Sequence, residues 1–262
     1  MQPVKPDILW TAAGQPRILH GVVIYSNAPA LAELAGQLGF DVVWVDLEHG
    51  AADFARAEIL CHAVEAGGAV PLLRVSGGER SNVLHALEVG ARIVVVPMVN
   101  TAQQAREIVR HGKFPPLGER GFNLRSRGVG YGLLGVNSTF ERANASTHLL
   151  MQIETVQAVE NLDGMLAVEG ISGIFIGPGD LSVSVGVPGR LDDPAVIDAA
   201  VRCIGRARER GMHAGILCPP CRLLDAALAA GCDLCICGGD IPDLVAAWRE
   251  RLAGLAPAGE ET

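Results

Sequence analysis

The chain has 262 residues, is 49% hydrophobic and carries a formal net charge of -8. That length fits one large α/β barrel or two smaller domains, and the apolar content is ample for a sizeable core. With no cluster of Lys and Arg among aromatics, no stretch as long as a membrane span, and no basic segment before an apolar run at the N-terminus, the expectation is a soluble cytoplasmic protein without a nucleic-acid or membrane partner.

In chain order, short β-branched runs alternate with amphipathic segments. The predicted strands cover residues 18–24, 42–47, 70–75, 93–98, 149–153, 173–176, 213–217 and 234–237. The predicted helices lie around 28–38, 53–66, 80–89, 101–111, 155–168, 194–210, 221–230 and 241–253. Glycines such as Gly39, Gly90, Gly112 and Gly231 end the helical stretches as C-caps do. Eight strands and eight helices in alternation predict an α/β fold of the (β/α)₈ barrel type, with a doubly wound sheet as the alternative. One domain over 1–255 and a flexible tail over 256–262 follow. The irregular section is 113–148, where FPPLGERGFNLRSRGVGYGLLG is rich in glycine and arginine; a short helix near Ser138–Ala145 with Ser138 as N-cap is expected within it.

In a barrel, chemistry gathers at the C-terminal strand ends. Those ends carry Asp46, Glu48 and His49; then Arg74; then Asn100; then Gln152 and Glu154; then the turn Gly177-Pro178-Gly179 with Asp180; then Cys218; then Asp240. Glu154 and Asp180 follow consecutive parallel strands and stand at one mouth, as two hard oxygen ligands suited to Mg²⁺ or Mn²⁺. Helix capping or plain solvation is the alternative for both. His49 is placed to move a proton near neutral pH, and Arg74 to face a carboxylate or enolate. The backbone N–H groups of Gly179 and Asp180 are available to an anionic oxygen.

Lysine and cysteine usage narrows the chemistry. Only Lys5 and Lys113 occur, against 19 arginines, and neither ends a buried apolar run. A Schiff-base mechanism needs a desolvated lysine beside the reacting carbon, so it is nearly excluded. Seven cysteines in apolar context suggest reduced, buried thiols rather than a disulfide framework. Cys218-Pro219-Pro220-Cys221 and the pair Cys232 and Cys235 imitate zinc or thioredoxin-like spacing. Cys232 and Cys235 are expected to face opposite sides of a strand, which argues against zinc.

The motifs FDVVWVDLEHG, LLRV, LEVGARIVVVPMVNTAQQARE, FPPLGERGF, LLMQIET, GIFIGPGDLS and GILCP together resemble the metal-dependent class II 2-oxo acid aldolases of the HpcH/HpaI family, over nearly the whole chain. The resemblance implies a (β/α)₈ barrel, commonly a hexamer with an exchanged C-terminal helix; a homo-oligomer, hexamer or trimer, is expected. It implies that Glu154 and Asp180 hold a divalent ion (Mg²⁺, Mn²⁺ or Co²⁺), with Gln152 as a polar contact beside it. Arg74, Gln152, Gly179 and Asp180 would bind substrate. His49 and Arg74 would be catalytic, with the histidine's acidic helper at the position of Glu88, where the family carries an aspartate.

The implied reaction is reversible retro-aldol cleavage of a 4-hydroxy-2-oxo acid to pyruvate and an aldehyde through a metal-chelated pyruvate enolate. The alternatives are a related lyase acting on a CoA thioester or decarboxylating oxaloacetate, a metal-free barrel binding phosphorylated ligands at Gly238-Gly239, and a redox or zinc module at Cys218 and Cys221. The segment 120–130 departs from familiar aldolases and is expected to bear on the choice of aldehyde.

Overall fold

The computed structural model describes residues 11–12, 15–133 and 135–255. Eight parallel strands close into a barrel: β1 (Leu19–Val23), β2 (Val42–Asp46), β3 (Val70–Arg74), β4 (Ile93–Val96), β5 (His148–Ile153), β6 (Gly173–Ile176), β7 (His213–Leu217) and β8 (Leu234–Gly239). Each pairs with its sequence neighbour and β8 returns to β1, so the closed (β/α)₈ architecture holds and the open sheet does not. Lys5 and the tail assigned to 256–262 lie outside the described residues. Among those described, no helix is long and apolar enough to cross a membrane.

The period of two along each strand builds two apolar layers. Trp44, Leu72, Val95, Leu150, Phe175 and Ile236 fill the barrel interior. Val43, Leu73, Val94, Met151, Ile174 and Ile216 face outward beneath the helices. Trp44 and Phe175 meet at 4.9 Å between ring centroids. Gly215 makes room for that packing, since a Cβ there would come within 2.4 Å of the Phe175 ring. Trp44 pairs with Leu72 and Asp46 with Arg74 across β2 and β3. One pleat beyond the apolar layer, the interior therefore turns charged at its C-terminal mouth.

The helices after β1 to β4 are α1 (Pro29–Gln37), α2 (Phe54–Ala66), α3 (Arg80–Glu88) and α4 (Ala102–Gly112). Gly112 is the last residue of α4 rather than a left-handed cap, and a Cβ on it would press Leu149 at 2.9 Å. The section 113–148 holds a 3₁₀ segment, Arg127–Gly132, and α5 (Val136–Ser146). The N-cap of α5 is Gly135, so Ser138 lies inside the helix and does not cap it. Phe114 stacks on Phe140 at 4.1 Å, giving this section a small core of its own.

After β5 the expected single helix is broken at Asn161 into α6 (Val156–Glu160) and α7 (Leu162–Leu166). An unforeseen helix, α8 (Pro178–Ser184), follows β6, and α9 (Pro194–Glu209), α10 (Arg222–Ala229) and α11 (Asp240–Ala253) complete the ring. In α11, Asp240 is the buried residue; Ile241, Val245, Trp248 and Leu252 form an exposed apolar stripe at helical spacing.

The floor of the barrel makes a testable statement about pH. His148 begins β5 and His213 begins β7, with their rings edge-on at 5.8 Å. Burial, reinforced by the charges of His213 and Lys113, pushes the His148 imidazole down to about 3. In the unfolded chain it titrates near pH 6.5. Its contribution is complete above pH 6.5, and stability is lost as pH falls from there toward 3, at roughly 1.4 kcal/mol per pH unit. Urea unfolding of His148→Gln should show a shallower loss of stability between pH 6 and pH 4 than the parent chain. An unchanged slope contradicts this account of the floor.

Candidate active site

The mouth is built around two acid clusters joined by one arginine. Arg74 Nε donates to Asp46 Oδ1 at 3.0 Å, and its Nη2 donates to Asp46 Oδ2. The guanidinium lies 5.2 Å from the Trp44 ring centroid, and its Nε stands 3.2 Å from Glu48 Oε2. Asp46 also accepts the N–H groups of Glu48 at 3.0 Å and His49 at 3.4 Å, which turns the chain sharply after β2. A side chain at Gly50 could not fit that turn, because its Cβ would sit 2.2 Å from the Asp46 carbonyl oxygen. Burial alone would raise the Asp46 carboxyl, but the Arg74 hydrogen bonds and charge outweigh it and hold it below the usual carboxylate range.

Glu154 follows β5 and is only 2% exposed. Its Oε1 accepts the Met98 N–H at 2.6 Å, and Gln152 Nε2 donates to its Oε2. Met98 has φ +55°, a left-handed backbone unusual for a non-glycine residue. Strained backbone of this kind clusters at functional sites. Gly177 faces the carboxylate: a Cβ there would lie 2.7 Å from Glu154 Oε2 and 2.9 Å from Gln152 Nε2. Burial, then the charges of Asp180 and Glu48, raise the Glu154 carboxyl against its two hydrogen bonds. Glu48 is likewise raised by burial and by Asp46 and Asp180, against the pull of Arg74 and His49.

Asp180 lies in the first turn of α8 and is exposed to the mouth. Pro178 at the start of α8 fixes the backbone, and the first bond of the turn runs from the Leu181 N–H to the Gly177 carbonyl at 3.0 Å. The N–H groups of Gly179 and Asp180 precede that bond and lie at the open end of the helix.

These residues suit a hard divalent cation. The charges of Asp180 and Glu48 bear on Glu154, and those of Asp46 and Asp180 on Glu48, while Arg74 is already matched to Asp46. Gln152 Oε1 is buried with no hydrogen-bond partner among the described residues, and Gly177 keeps the space before Glu154 open. Among the described residues no group of three or more His, Cys, Asp or Glu forms a ready-made cage. Two carboxylates, with water and substrate oxygens completing the shell, are the arrangement Mg²⁺ accepts.

Within the chain, the structure brings most of the expected residues together and sets one apart. Asp46, Arg74, Glu48 and His49 adjoin, and His49 Nε2 is 3.9 Å from Glu48 Oε2 with the imidazole largely exposed. Glu88 does not join them within the chain. It ends α3, five residues before β4, at the N-terminal end of the barrel, where Arg120 Nη2 donates to it at 2.8 Å and Asn123 Nδ2 at 3.2 Å. The acid beside His49 is Glu48, its sequence neighbour.

The segment 120–130 stays with Glu88. Arg127 pairs with Glu65 of α2, and Gly128 packs against the Leu87 carbonyl, so within the chain this segment lines no part of the mouth. Lys113 is also remote: its Nζ donates to the carbonyls of Asn144 and Thr147, and burial pushes it down to about 8. Asp243 crowds Gly238, and Asp240 accepts from the backbone of Tyr25 and Ser26. That acidic surrounding disfavours a phosphate at Gly238-Gly239.

One mouth residue escaped the sequence reading. Tyr25 lies just beyond β1, with its residue surface exposed; desolvation of the phenol and then the Asp46 charge raise it, and Arg74 opposes them. A Cβ on Gly239 would meet its ring at 2.8 Å. Its signal was present, since it follows the apolar run of the first strand as the other site residues follow theirs.

With this geometry established, residues 20–246 match the HpcH/HpaI aldolase/citrate lyase family. The chain belongs to that family. It is accordingly a carbon–carbon lyase. It is 35% identical over 234 residues to a 2-keto-3-deoxy-L-rhamnonate aldolase of Salmonella gallinarum, covering 89% of this chain and 87% of the relative. Among solved structures it resembles an HpcH/HpaI aldolase from Desulfitobacterium hafniense DCB-2, with a TM-score of 0.87, 26% identity and coverage of 94% and 96% of the two chains. It also resembles the citrate synthase SbnG, with a TM-score of 0.82, 26% identity and coverage of 91% and 93%.

Proposed function

We propose that the chain catalyses reversible cleavage of a 4-hydroxy-2-oxo acid to pyruvate and an aldehyde. The observation that carries this reading is the Glu154 cradle, a buried carboxylate fixed by Met98 and Gln152, left open by Gly177 and within reach of the Arg74 charge. Glu154 and Asp180 would hold the divalent ion, which when bound would polarise the 2-oxo group and acidify the neighbouring carbon. Arg74, locked in place by Asp46, holds the donor's anionic oxygens. The Gly179 and Asp180 N–H groups orient its carboxylate, and Gln152 Oε1 accepts from a hydroxyl or water beside Glu154. His49, with Glu48 in the helper position expected of Glu88, carries the proton between the substrate hydroxyl and water.

A 2-keto-3-deoxy sugar acid, the kind of substrate named for the Salmonella relative, belongs to this substrate class. The likeness to a citrate synthase favours one second reading, an enolate-forming lyase acting on a CoA thioester or on oxaloacetate. Pyruvate release from a panel of 4-hydroxy-2-oxo acids, run beside CoA esters and oxaloacetate with Mg²⁺, Mn²⁺ or Co²⁺, separates the two. Turnover of only the CoA esters or oxaloacetate would overturn the aldol reading.

The exposed stripe of α11 further supports a homo-oligomer, a hexamer or trimer, with the C-terminal helix exchanged between copies. Light scattering should report more than one chain per particle, and Trp248→Glu should reduce that mass. A parent chain that is monomeric at assay concentration contradicts it.

A further inference from the structure

The catalytic account leaves unused a pair of thiols at the rim of the same mouth. Cys218 follows β7 and is fully buried; Cys221, half-buried, is the N-cap residue of α10. Their sulfurs stand 3.3 Å apart. Disulfide formation brings two sulfurs to about 2.05 Å, and a pair already in contact needs only side-chain rotation to reach it. The two residues between them are Pro219 and Pro220, whose rings fix φ and hold the turn whether or not a bond joins the sulfurs.

Cys221 is also reachable. It lines an open cavity of about 510 Å³ with Pro219, Gly189, Arg190, Asp192 and Pro194, between the β7–α10 turn and the segment after α8. The N-terminal end of α10 favours negative charge on a sulfur there. Asp192 already takes one of that end's donors, the Leu223 N–H, at 3.0 Å.

We propose that Cys218 and Cys221 form a dithiol–disulfide site that reacts with low-molecular-mass disulfides through the cavity lined by Cys221. Cys221, as thiolate, attacks one sulfur of the small disulfide; that S–S bond breaks and one thiolate leaves. Cys218 then loses its proton to solvent and attacks Cys221 Sγ, expelling the second small thiolate. Two protein thiols become one disulfide, the small disulfide becomes two thiols, and no further oxidant is needed. Burial and the hydrogen bond to Cys221 push the Cys218 thiol upward, which suits the resolving rather than the attacking role.

The remaining cysteines supply internal controls. Cys232 and Cys235 also approach, at 3.9 Å between sulfurs, but each is 2% exposed, and Cys232 donates to the Ala214 carbonyl at 3.2 Å. Their proximity corrects the expectation of opposite faces: β8 begins at Leu234, so Cys232 precedes the strand and escapes its alternation. Cys237 is the rival partner to test for Cys221, since the Cys221 charge acts on its thiol.

The test uses the native, reduced chain incubated with glutathione disulfide, quenched with iodoacetamide and digested with trypsin. The peptide 211–222 carries Cys218 and Cys221 and no other cysteine. It should lose two hydrogens and take up no iodoacetamide, while Cys232 and Cys235 show no oxidation. Cys218→Ala should retain one glutathione on Cys221, and Cys221→Ser should leave Cys218 unreacted. Should the Cys218 variant fail to fold, the parent-chain peptide and Cys221→Ser still decide. Full alkylation of both thiols in the parent chain, a Cys221–Cys237 link, or oxidation of Cys218 in Cys221→Ser as fast as in the parent would overturn the proposal.

Discussion

Glu154→Gln is expected to lower kcat/KM for pyruvate release by about a thousand-fold, roughly 4 kcal/mol of transition-state stabilisation, while the fold survives. Glutamine keeps an oxygen to accept the Met98 N–H and fills the same volume. Its new amide faces the Gln152 amide, and that conflict is relieved when Gln152 turns over and presents its unpartnered Oε1. What is lost is the charge that would hold the divalent ion. Steady-state kinetics at saturating Mg²⁺ with a thermal unfolding control reads both quantities. A variant within a few-fold of the parent would remove Glu154 from the proposed chemistry.

Arg74→Lys should cost about a hundred-fold in kcat/KM, roughly 3 kcal/mol, because a point ammonium cannot replace a fork that binds Asp46 through two nitrogens. The same change should destabilise the fold by about 1–3 kcal/mol, since Asp46 is 2% exposed and loses its two-pronged partner. Arg74 holds the folded Asp46 carboxyl below its ordinary value of 3.8. The stability it contributes is therefore present above that value and is lost as pH falls through the lower folded one. The gap between parent and variant should be full at neutral pH and close in strong acid. Denaturant unfolding from pH 7 down to about pH 1.5 measures the gap; a difference that stays constant to the acid end would mean that Arg74 acts through packing on Trp44 instead of through charge.

The barrel was legible because its strands are apolar on both faces and its helices on one, so the switch of period marks each boundary. Strand ends then located Asp46, Arg74, Gln152, Glu154 and Asp180 without any long-range information. What failed was governed by contacts that periodicity does not record. Gly177-Pro178-Gly179 looks like a turn, yet Pro178 starts α8 and Gly177 is glycine because Glu154 and Gln152 lie against it. Family position puts Glu88 with His49, and within the single chain the end of α3 lies at the far rim, where buried Arg120 donates to it. The segment 113–148 had no readable period because its order rests on single contacts such as Phe114 on Phe140 and Lys113 on two carbonyls.

The central claim is that two carboxylates at one barrel mouth supply, through a divalent ion, the carbon acidity that a lysine would otherwise provide. Its most direct test is pyruvate release from a 4-hydroxy-2-oxo acid by the chelator-stripped chain, before and after Mg²⁺ or Mn²⁺ is restored. The account predicts loss of activity on stripping, full recovery with metal, and no recovery in Glu154→Gln or Asp180→Asn. Undiminished turnover by the stripped chain, or equal recovery in either variant, would contradict it.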